Sequence, residues 1–437
     1  MARRKKATAR DAFGIATIAL AAQGQFMRMM VTFSALFMSV ALLQLSTGGV
    51  GPLDALTGLS AGFSAGEVGF LGSAHFFGFF IGCWWAPRLM GSIGHSRAFA
   101  SFTAMGAIGL AAHVLVTDPY FWAIFRIATG ICVAGAYTVI EAWLQAKVTN
   151  ETRGRAMGSY RIVDMSASFV AQFMIGALAD MPTYIAYNLL TILCCAAIFP
   201  LTLTKSEQPI TPAIMRLRPM LAWRASPLAV AGVLVAALSS AAFRMVGPIY
   251  GQEVGLAANQ IGYFLAAFVA GGAIAQYPVG WLADKYDRRW VLIGLSVAAI
   301  FACIITVASA GMGTFAVMAA ATLFGLTTFP VYSVATAHAH DFVTSEDRVE
   351  LSAALMFFYA VGAIAAPYTS SNLIAWYGPT ALFTFISAGH FLLVVFGLGR
   401  MRVRRAPTER TRYVYAPRTS FMVGRLLGRS RDKDQNE

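Results

Sequence analysis

Five ionisable residues stand inside long apolar runs: Arg126, Glu141, Arg161, Asp164 and Arg244. A charge in hydrocarbon costs at least about 2.5–3.5 kcal/mol on insertion scales, so each is a candidate for function. A cation there can bind a substrate anion or tune a proton carrier, and a desolvated carboxylate can carry a proton. Arg126 lies roughly 10 Å into its apolar segment at 1.5 Å per helical residue. It reads either as a cavity-facing cation or as half of an ion pair between helices. Glu141 follows about 22 Å further along the same helix, one turn from Tyr137 and on its face. It can carry a proton or pair with Lys147 or Arg155. Arg161 and Asp164 are spaced i,i+3 and can neutralise each other, with Asp164 the second candidate proton carrier. Arg244 has no acid on its own helix and precedes Pro248 by about one turn. It can hold a substrate anion or snorkel to the interface.

Polar lining for a cavity is available from Tyr137, Gln276, Tyr277, Tyr332 and Tyr359, with aromatic core packing as the competing account. His75, His113 and His390 stand singly on apolar helices and read as packed histidines; His338 and His340 fall near a helix end, too close to water to imply a metal. The five cysteines have no CxxC spacing, GxxxxGK[ST] and HExxH are missing, and no nucleophile elbow stands in a strand-turn-helix context. The expectation is therefore no enzyme, no cofactor and no metal; any energetic drive would come from an ion or solute gradient, most simply of protons.

These residues must be positioned by membrane-spanning helices. Of 437 residues, 58% are apolar and 12% charged, against roughly a quarter charged in soluble proteins. Apolar windows of about 20 residues, each long enough to cross a bilayer, predict twelve helices. The first six cover 27–50, 67–89, 98–116, 119–142, 156–178 and 182–203; the second six cover 227–250, 260–283, 290–309, 312–336, 351–375 and 379–399. The domain reading is a basic extension (1–26), a six-helix bundle (27–203), a linker (204–226), a second six-helix bundle (227–399) and a basic tail (400–437).

Charge sidedness orients the spans. Alternate loops carry Arg88 and Arg97, then Lys147, Arg153 and Arg155, then Lys285, Arg288 and Arg289, whereas the opposite set has acids such as Asp54, Glu67 and Asp118 and no base. The positive-inside rule places the first set and both tails in the cytoplasm, giving a multi-pass protein of the cytoplasmic (inner) membrane. The net charge of +13 then reports orientation and contact with anionic membrane lipid, not nucleic acid. The basic start followed by Ala12–Ala22 resembles a signal peptide, but cleavage would invert the loop charges, so a cytoplasmic membrane-surface extension is expected. The tail from Arg400, with eleven bases and four acids, reads as mostly flexible.

The halves repeat. Gly51-Pro52-Leu53 recurs as Gly247-Pro248-Ile249; Gly69 and Gly78 recur as Gly262 and Gly271; Gly130 and Tyr137 recur as Gly325 and Tyr332. Gly78-x-x-x-Gly82 and Gly130-x-x-x-Ala134 offer small surfaces for close helix approach. The segment Gly280-Trp281-Leu282-Ala283-Asp284-Lys285-Tyr286-Asp287-Arg288-Arg289 resembles the GxLaDrxGrr signature of the major facilitator superfamily, matching at Gly280, Leu282, Ala283, Asp284, Arg288 and Arg289. Arg126-x-x-x-Gly130-x-x-x-Ala134-Gly135 is similar to that superfamily's second signature, and Ile261–Arg289 and Ile140–Arg155 look most like its YcaD-like branch. The resemblance implies an all-α protein of twelve transmembrane helices in two pseudo-symmetric bundles, working as a monomeric secondary transporter of a small organic solute by alternating access. Gly280, Leu282, Asp284, Arg288 and Arg289 would form its gating motif, latching onto a neighbouring helix end in one state. The corresponding first-half loop is degenerate, with Pro87 for the first glycine and Gly91 for the acid. That degeneracy favours asymmetric gating. It also supports the alternative of a non-transporting membrane sensor or scaffold.

Overall fold

The computed structural model describes residues 33–148, 150–203, 217–344, 346–403, 410, 411 and 413. The expected N-terminal extension, residues 204–216 of the linker and most of the tail lie outside these. The described chain is helical throughout. Helices α1 Phe33–Ser60, α2 Ala65–Ile93, α3 His95–Ala112, α4 Pro119–Lys147, α5 Asn150–Ala179 and α6 Thr183–Leu203 form one bundle. Helices α7 Pro227–Glu253, α8 Ala258–Lys285, α9 Arg288–Ala308, α10 Thr314–His340, α11 Arg348–Tyr377 and α12 Ala381–Val403 form the other, and a short helix Pro219–Ala225 leads into α7.

Local signals set the boundaries. Ser64 and Glu67 close a reciprocal capping box at the start of α2, with the Ser64 amide 2.7 Å from Glu67 Oε2. Asp118 caps α4, Ser226 caps α7 and Asp287 caps α9, the first two ahead of a proline at the first helical position. Gly94 and Gly378 separate helices at φ +83° and +81°, a backbone region open to glycine without strain.

One boundary differs from the sequence reading in a way that matters. The Gly51-Pro52 pair suggests that the first span ends at residue 50 and leaves Asp54 in a loop. The helix instead turns at Gly48 and Gly49, restarts, and takes Pro52 in its new first turn, where no amide donor is needed. It continues to Ser60 and carries Asp54 into the protein interior at 2% exposure.

Among the described residues, eleven helices are long and apolar enough to cross a bilayer. The twelfth, α3, is eighteen residues long and more polar, with His95, Arg97 and Ser101, and packs against α4 and α6.

The repeated glycines mark matching helix crossings. A Cβ on Gly78 would strike the Ile127 carbonyl and one on Gly130 the His75 carbonyl, where α2 crosses α4. In the second bundle a Cβ on Gly271 would strike the Thr322 carbonyl and one on Gly325 the Phe268 carbonyl, where α8 crosses α10. Backbones touch at these points because no side chain intervenes.

The bundles meet along α1/α7, α2/α11 and α5/α8. Contact is tightest toward the α1–α2 and α7–α8 loops. A Cβ on Gly69 would run into Ser371, one on Gly72 would lie 2.9 Å from Pro367 Cβ, one on Gly176 2.5 Å from Asn259 Cα, and one on Gly51 2.7 Å from Met245 Sδ. The assembly is therefore sealed on the face that carries the acidic loops.

Candidate functional site

A central cavity of about 170 Å³ lies beneath that seal. Its walls differ in chemistry. The first bundle supplies Gln44, His75, Arg126, Tyr137, Arg161, Asp164, Ser168 and Gln172; the second supplies Arg244 and Tyr359 among Met245, Leu265, Phe268, Val269 and Phe329.

Arg126 is both of the things its sequence position allowed. Its Nε lies 3.2 Å from Asp54 Oδ2, with both side chains 2% exposed, and it also lines the cavity. Asp54 accepts a 2.5 Å bond from the Tyr187 hydroxyl and has His113 Nε2 at 3.7 Å. His113 stacks on the Tyr187 ring at 4.9 Å. Arg126 Nη1 has no hydrogen-bond acceptor.

Glu141 is fully buried and pairs with Arg161 Nη2 at 3.1 Å, with the Tyr160 hydroxyl at 3.2 Å. The sequence offers Lys147 and Arg155 as partners; among the described residues Arg161, twenty residues away on α5, pairs with it. Glu141 stands behind the cavity lining. Arg161 Nη1 also meets Asp164 Oδ2 at 3.5 Å, so one cation bridges two acids.

Tyr137 joins this group through its hydroxyl, 2.6 Å from Asp164 Oδ1 and 2.5 Å from Gln44 Oε1. One phenolic proton serves one acceptor. The other contact needs either the Gln44 amide turned to present its nitrogen or a proton on Asp164.

Arg244 differs from the other two arginines. Among the described residues it makes one hydrogen bond, a 3.5 Å reach from Nη2 to Ser168 Oγ on the opposite bundle, and no carboxylate lies within 4 Å of it. Around the cavity, Asp54 balances Arg126, and Glu141 and Asp164 balance Arg161. Arg244 remains an uncompensated cation.

Three expected lining residues lie elsewhere. Gln276 donates to the Gly272 carbonyl at 3.1 Å, one turn back on its own helix, and is absent from the cavity wall. Tyr332 packs edge-on against Tyr359 at 5.3 Å, and only Tyr359 reaches the cavity. Tyr277 is 85% exposed on the bundle's outer surface. His338 and His340 are both buried at 3%, with His340 Nε2 3.0 Å from Ser352 Oγ, so nearness to water does not describe them.

His75 was legible only as a packed histidine, yet it lines the cavity with a buried Nδ1 that has no partner. The signal that could have found it is its spacing. It lies three residues before Gly78 as Arg126 lies four before Gly130, so the glycine crossing brings the two together.

The α8–α9 turn is the other concentrated site. Arg288 is 1% exposed, and its Nη1 donates to the Ala337 carbonyl at 2.9 Å and pairs with Asp341 Oδ1 at 2.7 Å, at the end of α10. Its Nη2 reaches Asp284 at 3.4 Å. The helix end that this motif grips therefore belongs to its own bundle. Arg289 binds Asp287 at 2.6 Å. Burial pushes the Asp287 carboxyl up, but the bonds from Arg289 outweigh it and hold the group below the usual aspartate range.

Residues 228–430 match the Major Facilitator Superfamily model. An uncharacterised MFS-type transporter of Enterobacter sp. (strain 638) is 26% identical over 353 residues, 80% of this chain and 89% of its own length. The MFS-type transporter YcaD of Escherichia fergusonii is 26% identical over 340 residues, 77% and 87% of the two chains. The chain is thus similar to the major facilitator superfamily model over its second half and to MFS-type transporters over most of its length. Solved transporter structures share this fold. The nucleoside transporter NupG superposes with a TM-score of 0.67 at 14% identity, covering 86% of this chain and 98% of that one. A D-xylose–proton symporter gives 0.62 at 13% identity, covering 84% and 97%.

Proposed function

We propose that this chain is a proton-coupled secondary transporter that moves a small organic anion or zwitterion across the cytoplasmic membrane by alternating access, as a monomer with both termini inside. Arg244 carries this reading: a cation without a carboxylate partner, in a cavity walled by membrane helices, is best satisfied by an anionic ligand. His75 and Arg126 add donors on the facing wall, and the volume of about 170 Å³, below the roughly 300–1,000 Å³ of drug-sized sites, suits a compact solute. Its anionic end would lie toward Arg126, His75 and Arg244, with any apolar part against Phe268 and Phe329.

The Tyr137–Asp164–Arg161–Glu141 group supports the proton half of the cycle. Asp164 is the carboxylate that both faces the cavity and touches Tyr137 closely, so it is the proposed proton carrier. Glu141 holds Arg161 from behind. The sealed face then corresponds to the periplasm, and the state described is the inward-facing one.

Proteoliposome flux of labelled organic acids, amino acids and lipophilic cations, with and without a pH gradient, tests the proposal. Acid or amino-acid accumulation driven by the gradient is expected. Transport of the lipophilic cations alone would overturn the anion assignment. No flux of any solute by correctly folded protein would favour the sensor or scaffold reading, which the degenerate first-half loop supports.

A further inference from the structure

We propose that the groove between the α8–α9 turn and the end of α10 is a docking site for this chain's own C-terminal segment, with Thr411 and Tyr413 clamping the turn to α10. The segment makes bonds on both sides of the groove. On the α10 side, the Thr411 amide and hydroxyl both donate to Asp341 Oδ1, at 2.8 and 2.9 Å. On the α8–α9 side, the Tyr413 amide donates to Asp284 Oδ1 at 2.7 Å, and the Arg410 guanidinium donates to the Tyr286 carbonyl. Arg288 stands between them, donating from Nη1 to Thr411 Oγ1 at 3.0 Å and from Nη2 to the Thr411 carbonyl. The Thr411 hydroxyl thus gives one bond and receives one, within its capacity.

Two further observations fit this docking. Gly280, the first position of the gating motif, lies under the Tyr413 ring, and a Cβ there would sit 2.9 Å from Tyr413 Cδ1. The glycine has a local reason: it is the floor on which the tail rests. Asp284 and Asp341 each keep an oxygen that accepts from the tail beside Arg288, and the tail from Arg400 holds eleven bases against four acids. Asp341 is itself 1% exposed. Burial pushes its carboxyl above the usual aspartate range, against the pull of Arg288 and Thr411, so it is costly to leave unpartnered.

Arg288, which bonds to α10, therefore also bonds to the tail, and Asp284 and Gly280 meet the tail directly. Loss of the tail should free the turn from α10. The inference stands independently of the solute proposed above, and so does its test. Hydrogen exchange is compared between the full chain in lipid nanodiscs and the double variant Thr411→Pro/Tyr413→Ala, which removes the amide and hydroxyl donors of residue 411 and the ring over Gly280. Exchange over residues 284–289 and 337–343 is expected to rise about tenfold or more, while Thr411→Ser, which keeps amide and hydroxyl, leaves it unchanged. Equal exchange in the parent and the double variant overturns the clamp, as does loosening by Thr411→Ser to the same extent. Residues 75–82 at the α2/α4 crossing report whether the double variant is folded. If they also lose protection, a chain ended at residue 403 is examined with a peptide of residues 408–417. Recovered protection at 284–289 upholds the docking site, and none overturns it.

Discussion

Replacing Arg244 by glutamine should make the protein more stable and a worse transporter, and the opposite signs make the substitution informative. Arg244 makes one bond at 3.5 Å, to Ser168 Oγ, which is at the limit of hydrogen bonding and which a glutamine amide can replace at little cost. The removed charge has no carboxylate partner. A fully lipid-buried cation would cost about 2.5–3.5 kcal/mol; because Arg244 is half-buried against a cavity, a gain of about 1 kcal/mol is expected. Its bond to a substrate anion is charge-assisted and worth about 1.5–3 kcal/mol, so kcat/KM for the anion should fall about 10- to 150-fold. Arg126→Gln is the control. It leaves Asp54, 2% exposed, facing a neutral group, and breaking a buried pair in this way costs about 3–5 kcal/mol. Thermal unfolding of both variants in one lipid mixture, beside anion flux in proteoliposomes, makes the comparison. Equal destabilisation by the two substitutions, or unchanged anion flux in Arg244→Gln, would refute the claim that Arg244 is an uncompensated cation waiting for substrate.

Asp164→Asn keeps an acceptor for the Tyr137 hydroxyl but cannot release a proton. Solute exchange between equal internal and external pools should persist while accumulation driven by a pH gradient is lost; accumulation at the parent level would remove Asp164 from the coupling path. Gly69→Val places a branched side chain where even a Cβ runs into Ser371, so the sealed face should fail to close. A thiol probe at Met245→Cys should then label several-fold faster from that face, with flux reduced; unchanged labelling would mean that the α2/α11 contact is not the seal. Gly130→Ala, at the α2/α4 crossing, should destabilise by at least about 2 kcal/mol through forced backbone separation, whereas Gly158→Ala on α5, with nothing within 4 Å, should gain up to about 1 kcal/mol from helix propensity. Similar unfolding temperatures for the two would deny the crossing its role.

The twelve helices were legible because membrane spans announce themselves by length and apolarity, and the exceptions have physical reasons. The end of α1 was misplaced because Gly48, Gly49, Gly51 and Pro52 together read as a stop, when Pro52 sits in a restarted first turn. That single displacement hid Asp54, and with it the partner of Arg126. The pairing of Glu141 with Arg161 was not legible because spacing along one helix is visible and the rotation of the next helix is not. Arg161 lies on that next helix.

The repeat carried more information than its use as a family marker. Gly78/Gly130 and Gly271/Gly325 fix equivalent crossings in the two bundles, so equivalent residues can be compared across the cavity. Four residues before Gly130 stands Arg126, and four before Gly325 stands Ala321; three before Gly78 stands His75, and three before Gly271 stands Phe268. The scaffold is thus duplicated while the chemistry is not. Ionisable groups at the first crossing are replaced by apolar ones at the second, and an apolar wall with one lone cation, Arg244, faces a charged wall. A symmetric pair of bundles can rock about a solute held at their interface. An asymmetric pair of walls also fixes which end of that solute faces which bundle, so the same broken symmetry that hides the site from a search for repeats is what would give it orientation and selectivity.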